Sequence, residues 1–271
     1  MMQKIGVITN DEQQVFQKNV IAGIEQYAIS RDYQVMVGSL KQTPRRFEAM
    51  RLPIDELSGI IVIANVLDND TLRALKERGK PISLISHQVA GLAIPAVISN
   101  NRDGIQYLVD YLVTRCNRRE IVFIRGDMSQ FDGIQRDLIF RQSMLRHNLM
   151  PRPEFLLQGD FDPRQAAESL DSLISAGGVF DAVVAADYLM GVAVLNVLKK
   201  HRLAVPRDVC VVGFGDGQEA EKAGLTTAGL DIVEVGRRAA RQLFAQIDGL
   251  HIQGVTWLDT TLIRRQTCKE G

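Results

Sequence analysis

Carboxylates, amides and aromatic rings recur at one kind of place in this sequence, the few residues that follow each short apolar run: Asn10-Asp11, Asn65, His87-Gln88, Asp127 to Asp132, Asp160-Phe161, Asp187-Tyr188 and Gly215-Asp216. Such a set offers hydrogen-bond acceptors, some donors and flat apolar faces, which is the chemistry of holding a small polar or polyhydroxylated ligand. Asp and Asn are also favoured helix N-caps, so each position taken singly fits a structural role equally well. Clustered carboxylates do not imply acid–base catalysis, because a sugar pocket needs acceptors too. The histidines His87, His147, His201 and His251 lack metal-ligand spacing, and His147 and His201 fall near predicted helix ends, where they complement the dipole. Cys116, Cys210 and Cys268 are far apart, with no C-x-x-C, and fit a reducing cytoplasm. Gly213-x-Gly215-x-Gly217 follows a strand but is not the dinucleotide fingerprint, and no P-loop, zincin or nucleophile-elbow motif occurs. The expectation is a binding protein and not an enzyme, with no catalytic residues, no metal ligands and no cofactor.

The elements that must position these residues alternate. Short Val/Ile-rich runs predict strands at Lys4 to Thr9, Gln34 to Gly38, Gly59 to Ala64, Pro81 to Ser86 and Pro95 to Ile98. Helices fall between them; the first, Gln13 to Ser30, spaces Phe16, Val20, Ile24 and Tyr27 as a buried stripe. A second series runs through helix Arg102 to Thr114, strand Glu120 to Ile124, helix Gln135 to His147, strand Phe155 to Gln158, helix Pro163 to Ser175, strand Asp181 to Ala185, helix Leu189 to His201 and strand Val209 to Phe214. After a loop come a strand at Leu225 to Thr227, a helix at Asp231 to Ile247, and strands at Val255 to Trp257 and Thr261 to Ile263.

The strand runs are almost continuously apolar, as in parallel sheets covered on both faces. The pattern predicts an α/β chain of two Rossmann-like lobes. Residues 1–99 form the first, completed by about 230–257, and residues 100–229 the second, completed by about 258–268. Ligands of such sheets bind at strand carboxyl ends, and two sheets facing each other would make a cleft.

Composition narrows the partners. The 271 residues carry 32 Lys+Arg against 32 Asp+Glu and 46% hydrophobic residues, which is ordinary for a globular protein. A net charge of zero leaves no electrostatic footprint for nucleic acid or an anionic membrane. No run approaches the roughly 18 apolar residues of a membrane span, and the apolar stretch near the start is too short for a signal peptide, so a cytoplasmic location is expected. The basic groups Arg118-Arg119, Arg237-Arg238-Arg241 and Arg264-Arg265 are balanced by nearby acids and read as surface or dimer contacts.

One string is more specific than these patterns. Val205-Pro206-Arg207-Asp208-Val209-Cys210-Val211-Val212-Gly213-Phe214-Gly215-Asp216, followed by Leu225-Thr226-Thr227, resembles the VPEDVSVVGFDD … LTTV signature of the LacI/GalR regulators. Ile5-Gly6-Val7-Ile8, Gly59-Ile60-Ile61-Val62, Asn117 to Gly126 and Val235 to Ala240 are similar too, so the resemblance covers nearly the whole chain. It implies a type I periplasmic-binding-protein-like fold with crossover strands, a small polar effector (sugar, sugar phosphate or nucleobase-like) and a homodimer. Effector-driven lobe closure would control DNA binding through a helix-turn-helix domain that these residues lack. The alternative is the same core in a histidine kinase or diguanylate cyclase, or, with less support, a sugar-binding transport protein.

By resemblance, Arg136 aligns with the family arginine that clamps an effector hydroxyl or carboxylate. Arg136→Ala is therefore expected to lose the ligand and keep the fold. Gln130 and Asp132, assigned to the same loop, line the pocket; Phe161 supplies an aromatic wall; Asp187 matches the aspartate of an Asn-Asp or Gly-Asp pair. Phe16 resembles an aromatic at the mouth of the first lobe, and His87 the polar residue after the fourth strand. The chain departs from the pattern where the family's first aspartate after Gly-Phe is here Gly215, leaving Asp216 for that role, and where Ile139-Phe140 follows the clamp arginine.

Overall fold

The computed structural model describes residues 3–40 and 52–270, which divide into two compact units. The first comprises Met1–Ser99 and Asp231–Leu258, the second Asn100–Leu230 and Asp259–Gly271.

In the first unit the strands are β1 (Gln3–Thr9), β2 (Tyr33–Ser39), β3 (Ile60–Ile63), β4 (Ile82–Ile85), β5 (Ala96–Ser99) and, late in the chain, β11 (Val255–Leu258). They form one parallel sheet in the order β11-β5-β4-β3-β1-β2. Every residue of β3, β4 and β5 is buried, which is why these runs carry no polar alternation. The helices are α1 (Val15–Ile29), α2 (Asn69–Glu77, capped by Asp68) and α8 (Ile232–Ile247, capped by Asp231). Helices α1 and α8 pack almost backbone to backbone: a Cβ on Gly23 would strike the Val233 carbonyl, and one on Gly236 the Val20 carbonyl. Of the expected α1 stripe, Val20 and Ile24 are fully buried, whereas Phe16 and Tyr27 are half-buried.

The second unit repeats the plan. Its strands are β6 (Ile121–Arg125), β7 (Leu156–Gln158), β8 (Ala182–Ala185), β9 (Cys210–Phe214), β10 (Thr226–Gly229) and β12 (Thr261–Ile263). The sheet order is β12-β10-β9-β8-β6-β7, with β12 antiparallel at the edge. Helices α3 (Asn101–Thr114), α4 (Phe131–Arg146), α5 (Pro163–Ser175), α6 (Tyr188–Lys200) and α7 (Gln218–Lys222) connect them.

Two elements differ from expectation. Helix α4 begins at Phe131, a turn earlier than its apolar period indicates, so Asp132 belongs to the helix and not to the preceding loop. Gly133, having no Cβ, lets the Asp127 carbonyl press against the first turn. Helix α7 occupies a stretch read as loop; it is one short turn closed by Gly224 at φ 64°.

Candidate ligand-binding site in the second unit

In an open α/β sheet the strand order reverses at one gap, and the loops on either side of it part to leave a crevice. In the second unit that gap lies between β6 and β8. Arg136 is on α4, which follows β6, and its Nη1 donates to the carbonyl of Ala186 just beyond β8 at 2.8 Å. The arginine therefore spans the switch point.

Its surroundings hold it rigidly. Asn101, the first residue of α3, accepts from Arg136 Nε at 2.8 Å and donates to Asp132 Oδ1 at 2.7 Å. Asp132 Oδ2 faces Arg136 Nη2 at 3.3 Å, one helical turn back on α4. All three are buried, at 4%, 8% and 7% exposure for Asn101, Asp132 and Arg136. Burial pulls the guanidinium down from its ordinary range, opposed by the charges of Asp132 and Asp187. Aromatic rings flank the cation, with the Phe214 centroid 3.9 Å and the Phe161 centroid 5.6 Å from the guanidinium carbon. A guanidinium has five N–H donors, and one hydrogen on Nη1 together with the loosely engaged Nη2 remains to grip a ligand oxygen.

The wall at Phe161 is strained. Asp160 and Phe161 are consecutive non-glycine residues in the left-handed region, at φ 51° and 59°, a conformation costing on the order of 1–3 kcal/mol each and concentrated at ligand sites. The ring lies against Gly126, where any Cβ would collide with it.

Asp187, half-buried, caps α6 by accepting from Leu189 N at 2.8 Å and Met190 N at 3.1 Å. Burial pushes its carboxyl up to about 6, against the pull of those amides and of Arg136. Gln130 is the N-cap position of α4 but caps with no side-chain bond; its amide donates instead to Asp127 at 2.9 Å. Asp216 is engaged differently: its two oxygens pair with Arg265 at 2.9 and 2.8 Å, and Thr227 donates to it at 3.1 Å.

The fold thus brings Asp132, Arg136 and Phe161 into one cluster, with Asp187 beside it and Gln130 at the N-cap position of the helix that bears Arg136. Asp216 is bound to the β10–β12 edge. Phe16, on α1, and His87, after β4, belong to the first unit. His87 Nε2 is buried without a hydrogen-bond partner, and burial lowers the imidazole pKa, favouring the neutral ring. The switch point of the first sheet lies between β1 and β3. Beside it Asn10 Oδ1 accepts from Gln17, whose own Oε1 is a buried acceptor without a partner.

Sequence reasoning missed Asn101, Phe214 and Gln17. Asn101 marked only a boundary between lobes, Phe214 the end of an apolar strand, and Gln17 was not among the named stripe of the first helix; for Asn101 and Gln17, a polar residue inside an otherwise buried period is the signal that was present. One expectation changes. Because Arg136 ties α3, α4 and the end of β8 together, Arg136→Ala removes a buried cross-link as well as a ligand contact. The helix-end histidines are placed as expected, His147 on Asp110 at 2.6 Å and His201 on Asp171 at 2.8 Å. A hollow of about 460 Å³ lined by Lys199, Ala204 and Gln266 lies at the other end of α6 from Asp187, away from these strand ends.

A model of the periplasmic binding protein-like domain matches residues 109–268, which include Asp132, Arg136, Phe161, Asp187 and Asp216. The chain belongs to that family. Within this periplasmic-binding-protein-like family its resemblance to the LacI/GalR effector-binding core is borne out. It is 30% identical over 192 residues to the HTH-type transcriptional regulator CelR of Thermobifida fusca, covering 70% of this chain and 55% of that one. Among solved structures, a CelR–cellobiose complex superposes with a TM-score of 0.86 at 22% identity, covering 97% of this chain and 84% of the other. A Lac repressor dimer bound to operator and the anti-inducer ONPF does so with 0.88 at 20% identity, covering 99% and 95%. These two likenesses are of fold. The chain spans about three-fifths of the length of the curated relatives it matches. Among the described residues, no helix is long and apolar enough to cross a membrane.

Proposed function

We propose that this chain is the effector-binding sensor of a LacI/GalR-type transcriptional regulator, taking a small polar ligand at the strand ends around Arg136. The observation that carries it is the Arg136 guanidinium itself, buried, fixed by Asn101, Asp132 and the Ala186 carbonyl, and still holding free N–H donors between two aromatic faces. A cation positioned at such cost suits a hydroxyl pair, a carboxylate or a phosphate oxygen. Asp132, Asp187 and Gln130 supply acceptors, and Phe161 a stacking face for a sugar or base. Asp216, Phe16 and His87 are further proposed contacts, to be tested one at a time by Asp216→Asn, Phe16→Ala and His87→Ala.

CelR, the relative named above, is an HTH-type transcriptional regulator, which favours a DNA-binding output in a domain outside these residues over a kinase or cyclase. The Lac repressor neighbour is a dimer, and a homodimer is the state proposed here. Sedimentation showing only monomer at tens of micromolar would count against it. The expected role is ligand sensing in the cytoplasm and not turnover, so a bound ligand should be recovered unchanged.

The deciding experiment is a thermal-shift screen against sugars, sugar phosphates, nucleobases and amino acids, followed by calorimetric titration of any hit. Ligand at 100 times its Kd stabilises the folded state by about 2.7 kcal/mol, well within reach of such a screen. A selective hit that Arg136→Lys loses supports the proposal; no hit in any class, or a hit indifferent to Arg136, overturns it.

A further inference from the structure

The sequence places Cys116, Cys210 and Cys268 at spacings that suggest no ligand set, and the fold gathers them nonetheless. Cys116 follows α3, Cys210 opens β9, and Cys268 lies in the tail after β12. Their sulfur atoms all lie within 4.8 Å of one another, with Cys116 and Cys268 at 3.2 Å, and the residues are 6%, 0% and 1% exposed respectively. None is in a disulfide.

The placement is built and not incidental. The tail is sewn to the sheet by Thr267, whose hydroxyl donates to the Val211 carbonyl at 2.7 Å and accepts from Thr226 N at 2.9 Å, while Val211 N donates to the Thr267 carbonyl at 3.0 Å. Those bonds set Cys268 beside Cys210. The Tyr111 hydroxyl reaches the Cys268 carbonyl at 3.5 Å, and Cys116 N bonds the Tyr111 carbonyl at 3.1 Å, so Tyr111 spaces the third thiol.

We propose that Cys116, Cys210 and Cys268 form a three-thiolate site for a soft, low-coordinate metal ion, Cu(I). Thiolate–metal bonds of about 2.3 Å put sulfurs about 4.0 Å apart in a trigonal plane, a spacing bracketed by the 3.2 and 4.8 Å found here. Softness selects Cu(I), zinc or an iron–sulfur cluster for such donors. Structural zinc is almost always four-coordinate, whereas among the described residues this group has three members and its burial leaves no open side for water. Each thiol gives up one proton as the ion binds, leaving excess negative charge. A cation is close by: Arg118 donates to the carbonyls of Pro206, Arg207 and Asp208, the residues leading into Cys210, and its buried Nε has no partner.

The test titrates the reduced chain anaerobically with Cu(I) held by a chromophoric chelator, and records the copper X-ray absorption spectrum of the loaded wild-type chain. Expected are one copper withdrawn per chain, three sulfur neighbours in the spectrum, and loss of uptake in Cys210→Ser and Cys268→Ser. The spectrum needs no variant, so a misfolded substitution does not decide the matter. Failure to compete with the chelator, a nitrogen or oxygen ligand set, or preferential uptake of Zn(II) with a four-coordinate Co(II) spectrum would each overturn the proposal. So would a Cys116–Cys268 disulfide whose reduced form takes up no copper.

Discussion

The guanidinium carbon of Arg136 sits 3.9 Å from the centroid of the Phe214 ring, so a cation on α4 rests on the last residue of β9. That contact makes the arginine a structural hub before it meets any ligand. Arg136→Lys keeps the charge but not the planar fork, and cannot bond Asn101 and Ala186 together. Truncating one partner of a buried charge pair costs about 3–5 kcal/mol, so Arg136→Ala should lower the urea midpoint markedly and Arg136→Lys by less. An alanine variant as stable as wild type would show the cross-link to be inert.

Asn101 is tested through what its loss leaves behind. Asn101→Ala strands Arg136 Nε and Asp132 Oδ1, each deprived of its partner in a buried setting. An unsatisfied buried group costs about 1–3 kcal/mol, and the freed guanidinium should also bind ligand more weakly. Chemical denaturation and calorimetry report the two effects separately; unaltered values in both would remove Asn101 from the site.

Asp187 carries the pH dependence. Its carboxyl titrates at about 6 in the folded chain, above the roughly 3.9 of an unfolded aspartate. The folded state therefore favours the protonated acid. Its contribution is fully present below about pH 4 and is lost as pH rises towards 6. The side chain is only half-buried, so the loss across that window should be about 2 kcal/mol. Asp187→Asn, still able to cap α6, should flatten the slope and be more stable than wild type at pH 7. Parallel stability curves for the two proteins from pH 4 to 7 would contradict the assigned titration.

Gly126 and Phe161 should behave as a coupled pair. Gly126→Ala drives a methyl into the ring, an overpacking that costs about 1–3 kcal/mol and swings the aromatic wall out of place. Removing the ring first, as Phe161→Ala, should make the added methyl nearly harmless. A double-mutant cycle measures this directly, and simple additivity of the two changes would mean that they do not touch in solution.

The alternation of Val/Ile runs with helical periods was enough to read an α/β chain with strands at almost every observed position, because a strand covered on both faces must be apolar along its whole length. Strand-end logic was enough to nominate Asp132, Phe161 and Asp187, since the loops of such sheets gather at one edge, whereas Arg136 was nominated only by the family resemblance. Boundaries were less legible: the apolar period starts α4 at Gln135, and only the packing of Gly133 against the Asp127 carbonyl shows why it starts earlier.

Pairing across the chain was not legible at all. Asn101 and Arg136 are 35 residues apart, and Cys116 and Cys268 are 152 apart. Local sequence specifies helices and strands through propensity and period, which act over a few residues. Which polar group meets which depends on strand order and on the register of the tail, and those are set when the whole sheet closes its hydrogen bonds. The sequence by itself therefore determined the class of fold and the edge at which to look. The tertiary structure decided that Arg136 is held rather than free, that Asp216 is bound to Arg265, and that three scattered thiols share one buried place.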